Sequence, residues 1–173
     1  MEIIQAHLVG EIIQTNSAEA HSLQKKSHFG EFNRGKIQYS YPEALHLLHK
    51  KKIEILDGKN QSIDFDTLMN KLRKFDKKIS IKFAVFKDLR DKGYIPKTAL
   101  KFGADFRVYD KGFGPGEEHA RWVVFVDSET KSFTWQDFSA KNRVAHSTKK
   151  KLLLAIVDEE SDVTYYEVDW IKI

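Results

Sequence analysis

Apolar and polar side chains alternate from Ala104 to Tyr109, with Ala104, Phe106 and Val108 set against Asp105, Arg107 and Tyr109. A period of two predicts a half-buried strand that carries Tyr109 on its polar face. Further on, Trp122-Val123-Val124-Phe125-Val126 is apolar on both faces, the pattern of a central strand. Lys151 to Val157 is a second apolar strand, and Val163 to Ile173 the last one, with Asp158 to Asp162 as the turn between them. Thr134 to Lys141 predicts a short helix, opened by Thr134 and Asp137 as a capping-box variant.

The N-terminal part has a different rhythm. Glu2 to Gln14, rich in Ile, Leu and Val, predicts a strand or hairpin around Gly10, whereas Asn16 to Gly35 is polar and has no clear period. Lys36 to Tyr39 and Ile53 to Leu56 are short strand candidates, and Asp57-Gly58 is a turn signal. Between those strands Pro42 fits the first turn of a helix whose stripe is Ala44, Leu45, Leu47 and Leu48. His46 and His49 on that helix have no nearby acid to complete a ligand set and are read as surface residues. A second helix spans about Asp64 to Phe75, with Leu68, Leu72 and Phe75 as its buried face. A third runs from Ile79 to Lys92 on Ile79, Phe83, Phe86 and Leu89 or Arg90, stopped by Gly93. Pro96 follows that stop, and strands dominate from Phe102 onward. The expected architecture is α+β / α/β: an N-terminal α+β subdomain over residues 1–80 and a C-terminal mixed sheet flanked by helices over 81–173.

Composition narrows the class. The chain has 173 residues, is 41% hydrophobic and 12% aromatic, and so supports a folded core. Its net charge of +4 fits an anionic partner such as nucleic acid. With no cysteine, disulfides, thiol catalysis and cysteine-bound zinc are excluded. No signal peptide and no apolar run of the roughly 18 residues that span a bilayer is visible, so a soluble cytoplasmic protein without membrane partners is expected.

The chemistry concentrates after residue 100. Tyr109, His119 and Lys150 sit in or beside the strands of the C-terminal sheet. Metal-free cleavage of RNA needs a base for the 2′-OH, an acid for the leaving 5′-oxygen and a cation for the crowded phosphorane. An imidazole transfers protons near neutrality, and a lysine supplies a point charge to phosphate. A free phenol titrates near pH ~10 and needs cationic neighbours to act as a base. A rival set, Asp105 with Glu129-Thr130-Lys131, has the E-x-K spacing of a metal-dependent nuclease. Gly112, Gly114 and Gly116 are not followed by the helix a nucleotide fingerprint requires and are read as bends that let His119 face Tyr109.

Lys101-Phe102-Gly103-Ala104-Asp105-Phe106-Arg107-Val108-Tyr109 resembles the tyrosine motif of the archaeal tRNA-splicing endonucleases (tRNA-intron lyases). Glu118-His119 before an apolar strand is similar to their histidine motif. The stretch from Arg143 through His146-Ser147-Thr148-Lys149-Lys150 to a Leu-rich strand is similar to their lysine motif. Asp88-Leu89-Arg90-Asp91-Lys92-Gly93-Tyr94 matches the family's helix-ending segment. The likeness covers roughly residues 85–170, about half of the chain.

The resemblance implies precursor tRNA as substrate, cut at bulge-helix-bulge junctions to leave 2′,3′-cyclic phosphate and 5′-hydroxyl ends without a cofactor or metal. It implies Tyr109 as general base, His119 as general acid and Lys150 as transition-state stabiliser. It makes Arg143 a clamp on a bulge base, although Ala145 stands where the family can place an aromatic. Lys149 is expected to steer phosphate. The acidic turn of Asp158, Glu159, Glu160 and Asp162 is expected to plug a basic pocket on another subunit. The apolar last strand is expected to pair with a second copy, giving a homotetramer as a dimer of dimers. A heterotetramer with a structural subunit, and a non-catalytic RNA-binding or assembly role in the same complex, are the remaining readings.

Overall fold

The structure, a computed structural model, describes residues 2–173. The chain divides into two compact units, Met1–Phe83 and Ala84–Ile173.

The first unit is built on a five-stranded sheet. Strands β1 (Ile4–Val9) and β2 (Ile12–Thr15) form a hairpin about Gly10, whose φ of 61° suits a residue without Cβ. β3 (Glu31–Asn33), β4 (Lys36–Tyr39) and β5 (Ile53–Leu56) complete the order β3-β4-β2-β1-β5. Only β1 and β5 run parallel, with Ile4 opposite Ile53; the other neighbours are antiparallel.

The polar stretch Asn16–Gly35, which has no legible period, folds as helix α1 (Ala18–Ser27) followed by β3. What starts α1 is a cap rather than a stripe: the Ser17 hydroxyl accepts the Ala20 amide at 3.2 Å. Helix α2 (Tyr41–His49) opens with a capping box from Ser40 and Glu43 and has Pro42 in its first turn. The Glu43 carboxylate also takes the amide of Gly30 at 3.0 Å, tying α2 to the residue before β3.

Two expectations fail in this unit. His46 is not a surface residue: it is buried and stacked on Phe29 at 5.7 Å, because α2 is covered along Pro42–Leu47 rather than on one stripe. Phe75 is not on a buried helix face either. Helix α3 (Phe65–Leu72) buries Leu68, Met69 and Leu72 but stops there, leaving Phe75 past its end and 48% exposed.

Helix α4 (Ile79–Asp91) passes from the first unit into the second. Gly93, at φ 92°, ends it; its amide reaches Arg90 O at 3.0 Å, and that of Tyr94 reaches Leu89 O at 3.0 Å.

The second unit is a mixed sheet in the order β10-β9-β8-β7-β6. It comprises β6 (Ile95–Ala99), β7 (Ala104–Tyr109), β8 (Trp122–Ser128), β9 (Lys151–Val157) and β10 (Val163–Val168). β8 and β9 are parallel, and α5 (Trp135–Ser147) makes the crossover between them; all other pairs are antiparallel. β8 is the central strand, and Val123, Val124 and Val126 on it are fully buried.

Three boundaries differ from the sequence reading. β6 precedes Phe102, where the strands are expected to begin, and contains Pro96, which pairs with Val108 on an edge strand, where a missing N–H is tolerated. α5 runs six residues beyond Lys141 to Ser147, and its Thr134/Asp137 capping box forms as expected. The last strand stops at Val168, opposite Leu152, and residues 169–173 leave the sheet.

Candidate active site

Sheet topology brings the three candidate residues to one edge. β7 is antiparallel to β8 and β8 is parallel to β9, so the end of β7 lies beside the starts of both β8 and β9. Val108 is opposite Trp122, and Trp122 is opposite Lys151. Tyr109 is the next residue after Val108, Lys150 the one before Lys151, and His119 stands three before Trp122. The ladder continues past the strand ends: the Arg121 amide donates to Val108 O at 2.9 Å, and the Lys151 amide to Arg121 O at 3.0 Å.

Tyr109, His119 and Lys150 line one cleft of about 430 Å³, together with Phe102, Arg107 and Glu118. Tyr109 points off the face opposite Val108, as alternation requires, but that face is not simply polar: Tyr109 is only 6% exposed. It is packed under the cleft wall, with the Arg107 guanidinium 6.0 Å from its ring centre. His119, by contrast, is exposed.

The loop before His119 is closed on itself. The Gly114 amide donates to the Glu117 carboxylate at 2.8 Å, the Glu117 amide returns to Gly114 O at 3.1 Å, and Gly116 takes φ 90°. The glycines therefore serve the turn geometry rather than looseness alone. Lys150 follows a tight reversal in which Lys149 adopts φ 56° and the Lys150 amide donates to Ala145 O at 2.9 Å. Its ammonium donates to Thr148 O at 3.2 Å and stands 5.8 Å from the Phe102 ring centre.

Arg107 and Phe102 were not singled out from the sequence. The signal for Arg107 was present: it lies two residues before Tyr109 on one strand, hence on the same face.

Arg143 lies elsewhere. It is exposed on α5 and lines a second hollow of about 580 Å³ with Phe138, His146, Val168 and Trp170. Arg143 and His146 are three apart on the helix and share a face. Trp170 is 61% exposed and meets His146 edge to face at 4.3 Å. An aromatic thus shares this hollow with Arg143, supplied by the segment after β10 rather than from position 145, where Ala145 is buried. Lys149 is exposed and lines neither hollow.

The acidic turn divides by role. The Asp158 carboxylate accepts the amides of Glu160 at 2.9 Å and Asp162 at 2.8 Å, so it shapes the turn. Glu159, Glu160 and Asp162 are exposed.

Asp105 and Lys131 of the rival nuclease set are engaged by other partners. The Asp105 carboxylate accepts the Val126 amide at 2.7 Å, and Lys131 pairs with Asp127 at 3.0 Å rather than with Glu129. The described residues include no group of three or more His, Asp or Glu placed to hold a metal ion. No helix among them is long and apolar enough to cross a membrane.

Two family models match the chain: the tRNA intron endonuclease N-terminal domain over residues 4–69, and the tRNA intron endonuclease catalytic C-terminal domain over residues 79–165. The catalytic match contains the whole three-residue cleft. Together the matches cover most of the chain, which belongs to the tRNA intron endonuclease family and carries that family's endonuclease activity. The tRNA-splicing endonuclease of Thermococcus onnurineus is 43% identical over 150 residues, covering 87% of this chain and 85% of the relative. That of Thermococcus kodakarensis is 42% identical over 161 residues, covering 93% and 94%. The tRNA-splicing endonuclease of Pyrococcus furiosus is 39% identical over 171 residues, 98% of each chain.

Proposed function

We propose that this endonuclease excises introns from precursor tRNA by cutting bulge-helix-bulge junctions without a metal ion. The observation that carries the reading is the convergence of Tyr109, His119 and Lys150 on one cleft.

Tyr109 takes the proton of the 2′-OH beside the scissile phosphate. The 2′-oxygen attacks phosphorus, the bond from phosphorus to the 5′-oxygen breaks, and His119 gives its proton to that oxygen. Lys150 offsets the extra negative charge of the phosphorane, and Arg107 adds a second cation to the same wall. The products are a 2′,3′-cyclic phosphate and a 5′-hydroxyl, and no water is consumed.

The roles divide sensibly by environment. A packed Tyr109 is held in one orientation for its small target, while an exposed His119 meets the leaving strand and exchanges its proton with solvent.

Arg143 and Trp170 form a site for an unpaired base: a flat guanidinium and an indole lining one hollow suit stacking on a flipped nucleobase. Lys149 steers phosphate. Glu159, Glu160 and Asp162 dock into a basic pocket of another copy, and the active form is a homotetramer.

The test is cleavage of a bulge-helix-bulge RNA by the purified chain in excess EDTA, with the termini of the products analysed. Full activity and cyclic phosphate ends are expected. Loss of activity on chelation, or 3′-hydroxyl ends, overturns the metal-free mechanism.

A further inference from the structure

The net positive charge of the chain does not come from the unit that holds the cleft. Residues 1–83 hold 14 Lys and Arg against 10 Asp and Glu, the chain's entire surplus of +4, whereas residues 84–173 hold 15 of each. The catalytic half is therefore electrically balanced overall, and the chain's net positive surplus resides in the first unit.

Within that unit the densest run follows from the early stop of α3. Lys71, Arg73, Lys74, Lys77 and Lys78 fall within eight residues, interrupted by the exposed Phe75. The one acid of the run is occupied internally: Asp76 binds the Lys82 ammonium at 2.7 Å and accepts the Lys78 amide at 2.9 Å. Arg73 is oriented by neutral partners, Ser80 Oγ at 3.1 Å and Asn70 Oδ1 at 2.9 Å, so its charge is aimed without being cancelled. Lys71, Lys74 and Lys77 are exposed and enter no ion pair among the described residues. Phe75 is braced by Tyr41, ring centres 6.4 Å apart. A fixed guanidinium, three exposed ammonium groups and a supported aromatic make a surface suited to sugar-phosphate backbone and an unpaired base.

We propose that the Lys71–Lys77 surface is a second RNA contact, which binds phosphates of the precursor RNA and contributes no group to the chemistry. It rests on the reading of precursor tRNA as the substrate. The surface sets affinity and its salt dependence and leaves bond cleavage untouched.

The experiment uses the full chain and the triple variant Lys71→Gln/Lys74→Gln/Lys77→Gln. Affinity for precursor tRNA is followed by fluorescence anisotropy across a salt series, with kcat at saturating RNA and mass in solution measured alongside. Each lost phosphate contact removes about 0.7–0.9 from the slope of log affinity against log salt, so the triple variant loses roughly 2–3. At 0.1 M salt its affinity falls by about tenfold or more, while kcat and mass stay at the wild-type value. Phe75→Ala weakens binding and keeps the slope. Unchanged affinity and slope in the triple variant overturn the proposal. So does a drop in mass, which assigns the surface to a contact between copies. A wild-type chain that binds precursor tRNA but does not cut it counts against the proposed cleavage and leaves the binding comparison intact.

Discussion

Lys150 holds its ammonium 5.8 Å from the centre of the Phe102 ring and 3.2 Å from the carbonyl of Thr148. Both partners orient the charge and neither neutralises it. A lysine meant for a structural ion pair would face a carboxylate, as Lys151 next to it does with Glu167 at 2.9 Å. The two neighbours differ in direction: Lys151 staples β9 to β10, and Lys150 lines the cleft. Removing the Lys150 charge by Lys150→Ala is expected to lower kcat by about 10²–10³, the usual cost of losing one electrostatic stabiliser of a transition state. Lys150→Arg keeps the charge but spreads it over a planar fork, and should retain part of the activity. Lys151→Ala is expected to leave kcat within a few-fold. Single-turnover rates of all three on one RNA check the assignment, and equal losses at 150 and 151 would refute it.

Arg143 belongs to a different hollow from the trio, and its variants should look different. Base stacking is worth about 1–3 kcal/mol per base, so Arg143→Ala is expected to weaken RNA binding by about tenfold or more. Lys at this position carries the charge without the flat face, and Arg143→Lys should recover little. Trp170→Ala should resemble Arg143→Ala, and the double variant should lose less than the product of the two if, as proposed, both act on one base. Titration of each variant with bulge-containing RNA tests this; strictly additive losses would place the two residues at independent sites.

What could be read from the chain alone depended on whether a residue's role was local. The strand holding Tyr109, the central β8, the capping box of α5 and the turn at Asp158 all follow from nearest-neighbour patterns, and the structure has each of them. Helix α1 is not legible in the sequence because its mean composition is polar and only Ala20 and Leu23 are buried, so no stripe marks it. β6 is not legible either, because an edge position excuses a proline, and edge position is a property of the whole sheet. Phe75 keeps the helical spacing but lies past the helix, because spacing cannot report that a helix has already ended. For the site, the motif likeness identified the three cleft residues. The aromatic that shares the hollow with Arg143 lies 27 positions away in a segment that leaves the sheet, and no spacing rule reaches it.

The four acids at the hairpin tip should separate under mutation. Asp158 accepts two amides of its own turn, so Asp158→Ala is expected to destabilise the β9–β10 hairpin by about 1–2 kcal/mol through unpaired turn amides. Glu159, Glu160 and Asp162 carry charge into solvent and hold no such duty. Glu159→Gln/Glu160→Gln/Asp162→Asn is expected to keep the melting temperature of the dissociated form and to halve the mass in solution, from tetramer to dimer. Light scattering across a salt series decides it: high salt should mimic the triple variant in the wild type. An unchanged tetramer at low salt in the triple variant would remove the acidic turn from assembly.

Tyr165 on β10 is half-buried and donates its hydroxyl to Asp88 on α4 at 2.7 Å, while Lys92 pairs with the same Asp88 oxygen at 2.7 Å. Burial first, then the hydrogen bond to Asp88 and its negative charge, push the Tyr165 phenol far above its ordinary value of 10.0. The sign follows from proton binding. Below pH 10 both folded and unfolded chains hold this proton, and the full stabilisation is present. Above pH 10 the unfolded chain releases the proton and the folded chain keeps it, so stability falls as pH rises. The second unit should therefore lose stability progressively above about pH 10, with a slope of roughly one proton from this residue. Tyr165→Phe removes the titrating group: it is expected to be less stable than wild type near neutrality, by about 1–2 kcal/mol for the lost bond to a charged acceptor, and to have a flatter alkaline limb. Denaturant unfolding of both proteins from pH 7 to 11 measures the two slopes. Parallel curves above pH 10 would show that Tyr165 keeps no more of its proton in the folded state than in the unfolded one, and the bond to Asp88 would then contribute nothing to the pH dependence.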